Sequence, residues 1–197
     1  MNEVKLRIPL KESDVRALKA GDRVLLTGRI VTARDRAHRY LAEEAKAADL
    51  PFDLSGGVLF HCGPVVQTLA DGSWRLLAAG PTTSERMNAY VPALLKKFGV
   101  RAVIGKGGMG PGVLKALEES GAVYLSAVGG AAQVLAARVE AIECAFKTEE
   151  FGSAEGMWVM RVKDFPAVVT MDAKGHSLHE EVEAASGRRV KSLRDAK

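Results

Sequence analysis

The 197-residue chain has only two cysteines. Cys62 and Cys144 lie far apart and outside any CxxC pair, so the sequence encodes neither a disulfide framework, a structural zinc site nor a redox dithiol. Aromatic residues are scarce at 6%, and no Ser/Gly, Gln/Asn or proline-rich tract is present, which excludes the low-complexity classes; an apolar share of 47% is enough to bury a core. Nor does the body carry an excess of one charge. The net charge is +4, and the segment from Gly187 to Lys197, with five basic residues against Asp195, accounts for all of it. A neutral body without interleaved aromatics argues against nucleic-acid binding. The longest uncharged run, Ser120 to Ala137, contains Gly121, Gly129, Gly130 and Gln133 and reads as strand, glycine turn and helix rather than a membrane span. Glu3, Lys5 and Arg7 interrupt the first residues, leaving no apolar signal region, and the expected location is the cytoplasm.

Periodicity and punctuation predict a strand at 4–10, a serine-capped helix at 13–20 and a β-rich run at 22–33 bent at Gly28. A helix follows from an Asp35 cap to about Leu50, then a buried strand at 58–62 and a hairpin around Asp71-Gly72 ending at Ala79. Beyond that point helices at 83–97, 111–119 and 131–139 alternate with strands at 100–104 and 123–128. Strands at 142–146, 157–162 and 167–171 and a final helix at 179–185 complete the chain. The pattern predicts a three-layer α/β domain with mixed and parallel pairing over residues 1–186, followed by a basic tail at 187–197.

Four glycine- or cation-bearing junctions stand out. Gly80-Pro81-Thr82-Thr83-Ser84-Glu85-Arg86 places two hydroxyls and a guanidinium at a helix start, a setting for a carboxylate or phosphate, or simply a capped helix. Gly105-Lys106-Gly107-Gly108-Met109-Gly110 fits GxGxxG. However, the following strand offers no acidic residue for a ribose, and Lys106 is followed by glycine rather than Ser or Thr, so both the dinucleotide and the P-loop readings are poor. In Arg34-Asp35-Arg36-Ala37-His38-Arg39, an Asp35–Arg39 pair at helical spacing accounts for part of the charge and leaves Arg34 and His38 over. Gly129-Gly130 opens another helix. Arg34, Arg86 and Lys106 thus each sit where a strand gives way to a loop, the place where ligands gather in α/β sheets. Convergence of the three would suit a dicarboxylate.

The ordered segments LTGRIVTARDRAH, FHCGP, GPTTSERM, VIGKGGMG, VGGAA and KDFPAVVTMDAKG resemble the iron–sulfur-dependent hydro-lyases of the class I fumarase and L-tartrate dehydratase family, specifically their beta subunit or C-terminal domain. The resemblance implies a swivelling β/β/α fold with a mixed sheet. It implies that Arg34, Thr82, Arg86 and Lys106 contact the substrate carboxylates, and that Thr83 is the proton-transferring base. A threonine hydroxyl is a poor base, so its alkoxide would need nearby positive charge, with Arg86 and Lys106 as candidates. The resemblance also implies a 4Fe-4S cluster ligated by a partner alpha subunit, whose open iron would act as Lewis acid, and hence a hetero-oligomer. FGSAEGMW departs from the family pattern, although Glu155 and Trp158 still align.

Fumarate–malate interconversion is the preferred reading. GKGGMG and FHCGPVV are similar to tartrate-type subunits, whereas VGGAA and DFPAVV are more fumarase-like, so L-tartrate dehydration to oxaloacetate stands as an alternative. A non-enzymatic nucleotide- or anion-binding module using the glycine turn is an alternative from another class. A scaffold subunit with a decayed site is disfavoured by the retained threonines and cations.

Overall fold

The computed structural model describes residues 3–195. Its strands are β1 (Glu3–Arg7), β2 (Arg23–Thr32), β3 (Val58–Phe60), β4 (Val65–Thr68), β5 (Trp74–Ala78), β6 (Ala102–Gly105), β7 (Val123–Ser126), β8 (Val139–Phe146) and β9 (Met157–Met171). Helices are α1 (Glu12–Ala17), α2 (Asp35–Glu43), α3 (Val91–Phe98), α4 (Pro111–Ser120), α5 (Ala132–Ala136), α6 (Thr148–Phe151) and α7 (Leu178–Asp195). β2, β3, β6 and β7 are parallel neighbours, and β9 runs antiparallel to β7, β8 and β2. By pairing with both β7 and β2, β9 closes the sheet on itself. The hairpin of β4 and β5 forms a separate two-stranded sheet.

Side-chain alternation along the strands builds the three layers. Phe60, Ile104, Leu125, Ile30 and Phe165 face the interior enclosed by the sheet. Leu59, Val103, Tyr124 and Val31 face outward, where they pack on Ala37 and Leu41 of α2, Leu94 and Leu95 of α3 and Val113 and Leu117 of α4. The result is the expected β/β/α arrangement with a mixed sheet. Among the described residues no helix is long and apolar enough to cross a membrane; residues 120–137 divide among the end of α4, β7 and α5.

Several elements differ from the sequence expectation, each for a physical reason. The helix expected over 83–97 is a 3-10 turn at Ser84–Met87 followed by α3. Pro92 lacks the N–H that a continuous helix would bond to residue 88, and it is accommodated only by restarting the helix just before it. Asp35 does not cap α2: Arg34 holds the N-cap position, Asp35 is the first helical residue, and α2 stops at Glu43 rather than near Leu50. Asp49 instead accepts the Lys46 N–H at 2.7 Å, favouring a separate short turn. Ser13 lies inside α1 and makes no cap. The two strands expected at 157–162 and 167–171 are the single strand β9. Asp164 takes a left-handed φ of 49° and its N–H meets Thr27 Oγ1 at 3.1 Å, opposite the irregularity at Gly28 in β2. This bulge carries the strand past Pro166. The short helix α6 was not expected, and residues 187–195, read as a tail, continue α7, which is exposed from Glu180 to Arg194.

Candidate active site

Because β2, β3 and β6 run parallel, their carboxyl ends emerge on one edge. Arg34 follows β2, His61-Cys62-Gly63 follow β3, and Lys106 follows β6. The Gly80–Thr83 segment lies across these ends. Thr82 N–H donates to the His61 carbonyl at 2.7 Å, Lys106 N–H to the Thr82 carbonyl at 3.3 Å, and Ser84 N–H to the Lys106 carbonyl at 3.2 Å. Thr83 and Lys106 therefore form a parallel bridge, and Cys62 bridges Pro81. Residues separated by up to 72 positions in the chain, from Arg34 to Lys106, are gathered along one rim.

The charges are linked. Arg86 grips Asp35 in bidentate fashion, Nε to Oδ1 at 2.8 Å and Nη2 to Oδ2 at 3.0 Å. The same Nη2 donates to Thr82 Oγ1 at 3.1 Å. Arg86 beside it holds the Asp35 carboxyl below its ordinary range, and Asp35 in turn raises the Arg86 guanidinium. Arg34 Nε lies 3.2 Å from Glu155 Oε1 and 4.0 Å from Asp35 Oδ2. Glu155 also accepts the Arg36 N–H at 3.0 Å at the start of α2, where the helix dipole favours an anion. Lys106 is exposed and enters none of the ion pairs formed by this cluster. Two guanidiniums and two carboxylates thus nearly balance, with one ammonium in excess.

Two glycines are demanded by close approach. A Cβ on Gly63 would lie 2.7 Å from Arg34 Nη1 and 2.8 Å from the Ala154 carbonyl, so the guanidinium crosses bare backbone there. A Cβ on Gly105 would fall on Ser84 Oγ. The first glycine of the GxGxxG match is therefore occupied by protein packing rather than by room for a phosphate.

Beneath the rim lies a buried polar layer. Ser84 Oγ receives the Tyr124 hydroxyl at 2.9 Å and is 2.8 Å from His61 Nδ1. His38 Nδ1 faces the Arg34 carbonyl at 2.9 Å and so carries its proton on that nitrogen. The two imidazoles meet edge-on, with centroids 4.7 Å apart, and the Nε2 atom of each is buried without a hydrogen-bond partner. Burial holds both rings neutral, pulling His38 down to about 4 and His61 well below its ordinary value, the latter reinforced by His38 and Arg86.

The structure brings Arg34, Thr82, Thr83, Arg86 and Lys106 to one rim. It corrects the expected Asp35–Arg39 pair: Arg39 lies 3.5 Å from Glu43 while Asp35 engages Arg86, 51 residues away. Asp35 as a partner of Arg86, Glu155 as a partner of Arg34, and the buried Ser84, His61 and Tyr124 were not singled out from the sequence. Only the alignment of Glu155 hinted at any of them. Among the described residues no group of three or more His, Cys, Asp or Glu side chains could hold a metal ion. Cys62 is buried, with its thiol pushed up to about 12, the opposite of a thiolate ligand.

Comparison with known proteins places the chain in a family. Residues 1–182 match the family model described as fumarase C-terminus. A Geobacillus stearothermophilus protein named fumarate hydratase class I is 48% identical over 192 residues, covering 98% of this chain but 36% of that protein. A Methanocaldococcus jannaschii protein named L(+)-tartrate dehydratase subunit beta is 42% identical, covering 88% of this chain and 89% of that protein. The Escherichia coli L(+)-tartrate dehydratase subunit beta is 39% identical, covering 88% and 85% respectively. The chain thus spans about a third of the class I relative and most of the beta subunits.

Proposed function

The chain belongs to the fumarase C-terminus family, and from that premise we propose that it is the beta subunit of an iron–sulfur hydro-lyase that interconverts fumarate and malate. The observation that carries this reading is the rim itself, where Arg86 joins Asp35 and Thr82 Oγ1, Arg34 lies beside the same carboxylate, and the backbones of Thr83 and Lys106 are bridged at the carboxyl edge of a parallel sheet. A C4 dicarboxylate supplies one carboxylate to each of two cations. Arg86 keeps its Nη1 group clear of Asp35 and Thr82, and Arg34 meets its carboxylate partners through Nε, so each retains N–H groups for a substrate oxygen. Lys106 adds one positive charge that neither Asp35 nor Glu155 neutralises. Clamping at both ends orients the substrate carbon.

In the dehydrating direction, a threonine alkoxide on this chain takes the proton from the methylene carbon next to the hydroxyl-bearing carbon and becomes a neutral hydroxyl, the C–H electron pair forms the double bond, and the substrate hydroxyl leaves as hydroxide with the C–O bonding pair. The resemblance points to Thr83 for that proton. Local electrostatics favours its neighbour, because Arg86 donates to Thr82 Oγ1 at 3.1 Å, the contact that stabilises an alkoxide. We therefore assign the proton to Thr82 and substrate contact to Thr83. Thr82→Ala abolishing turnover, with Thr83→Ala mainly raising KM, supports this order; the reverse result restores Thr83 as the base.

The residues of this chain do not fit a 4Fe-4S cluster, since Cys62 and Cys144 are isolated and no ligand group is present among the described residues. In this proposal the cluster is held outside the described residues, by an alpha subunit such as the relatives' beta-subunit names imply. Those same relatives favour a second reading, L-tartrate dehydration to oxaloacetate. Anaerobic co-expression with a cluster-bearing alpha subunit, followed by assays on malate, fumarate and tartrate, tests both. Activity is expected for the pair and none for this chain alone. Micromolar binding of NAD or ATP to the isolated chain, with no dicarboxylate response from the pair, would instead establish the non-enzymatic module.

A further inference from the structure

We propose that Ser84 is a positioning residue of this site, whose buried hydroxyl fixes the backbone carrying Thr82, Thr83 and Lys106; the assignment rests on the hydro-lyase reading. Ser84 is fully buried, whereas Thr82 and Arg86 on either side of it meet at the rim. Its Oγ lies at the meeting point of three strand ends. Tyr124 from β7 donates to it at 2.9 Å, and His61 from the end of β3 lies 2.8 Å away. Gly105, the last residue of β6, is the only residue type that leaves space for this oxygen. Tyr124 donates to Ser84 Oγ, and Ser84 and the neutral His61 share one proton between Oγ and Nδ1, which links Tyr124, Ser84 and His61 in one buried chain.

The same residues hold the backbone on either side. His61 accepts the Thr82 N–H through its carbonyl while its ring meets Ser84, and Ser84 N–H holds the Lys106 carbonyl. Removing the hydroxyl leaves His61 Nδ1 without its hydrogen-bond partner and Tyr124 without its acceptor in a closed interior. The segment Thr82–Ser84 can then settle differently against β6.

The expected kinetic signature follows from side-chain length. A threonine oxygen is one bond from Cβ, so a backbone displacement passes to it undiminished. Arg34, Arg86 and Lys106 have several rotatable bonds with which to follow the substrate carboxylates. Loss of the Ser84 hydroxyl therefore affects proton transfer more than binding.

The test uses the complex with a cluster-bearing alpha subunit. Ser84→Ala is expected to lower kcat by about tenfold or more while KM changes by less than about threefold. Tyr124→Phe is expected to act in the same direction more weakly, and the double variant to be no worse than Ser84→Ala, because both act through one oxygen. A Ser84→Ala complex with lowered thermal stability and wild-type kcat overturns the proposal and leaves a purely structural hydroxyl. Should Ser84→Ala not fold, Tyr124→Phe decides: wild-type kcat with a lowered Tm overturns the assignment, and a lowered kcat at unchanged KM upholds it. A wild-type complex inactive on all three dicarboxylates overturns the hydro-lyase reading itself, and this assignment falls with it.

Discussion

Acidification should destabilise this fold well before its carboxylates titrate, and His38 is the main reason. The ring is fully buried and donates through Nδ1 to the Arg34 carbonyl at 2.9 Å; burial lowers its pKa from 6.5 to about 4. A histidine lowered in this way supports the folded state fully above its unfolded value. That support is lost as the pH falls from 6.5 towards 4, because the unfolded chain takes up the proton first. Linkage gives a loss of about 2 kcal/mol between pH 8 and pH 5 from His38 alone, approaching about 3 kcal/mol below pH 4. His61, shifted in the same direction, adds to the slope. Urea unfolding at pH 8 and pH 5 measures the effect, and His38→Asn isolates it, since the asparagine amide can still reach the Arg34 carbonyl but does not titrate. The variant should lose about 2 kcal/mol less than the parent between the two pH values. Equal losses in parent and variant would refute a neutral, buried His38.

Other consequences are equally direct. Arg86→Lys replaces a two-pronged grip on Asp35 and a bond to Thr82 with a point charge; the KM of the complex for its dicarboxylate should rise by about tenfold or more in steady-state assays. Asp35→Asn should cost less than about 1 kcal/mol in urea unfolding at neutral pH, because the pair is 39–44% exposed, yet it should raise KM by releasing the guanidinium. The contribution of Asp35 to stability is present above pH 3.8 and fades as the pH falls through its lower folded value. Gly63→Ala places a methyl 2.7 Å from Arg34 Nη1 and should weaken substrate binding measurably while the far-UV spectrum stays native. Phe165→Ala empties a fully buried site that contacts Phe60 edge-on at 5.4 Å and should cost about 3–5 kcal/mol by the same unfolding assay.

What could be read from the sequence was mainly what local chemistry decides. The helix ends expected at 97 and 119 fall just before Gly99 and Gly121, which close α3 and α4 in left-handed conformations. Asp71-Gly72 turns the hairpin, and Gly28 marks an irregularity in β2. Part of the rim was legible because Arg34 and Lys106 each follow a strand of the parallel set; Arg86 follows the antiparallel hairpin instead and reaches the same edge through the Gly80–Thr83 segment. What escaped depended on distant partners. Asp35 has a suitable cation four residues on, and only the fold reveals that it chooses Arg86 instead. Ser84 reads as one more hydroxyl in a polar loop until Tyr124 and His61 are brought beneath it. β9 reads as two pieces because Asp164 and Pro166 are poor strand residues, and only cross-strand pairing with β2 and β7 keeps it whole.

That fifteen-residue ribbon sets how the domain opens. Since β9 closes the sheet between β7 and β2, fraying at either of these seams exposes the enclosed apolar interior, and the rim cannot melt while its base stays intact. Amide protons of β2, β3 and β6 should therefore exchange with solvent deuterium only through global unfolding. An incoming subunit would meet a surface already rigid before contact, with little ordering entropy left to lose on assembly.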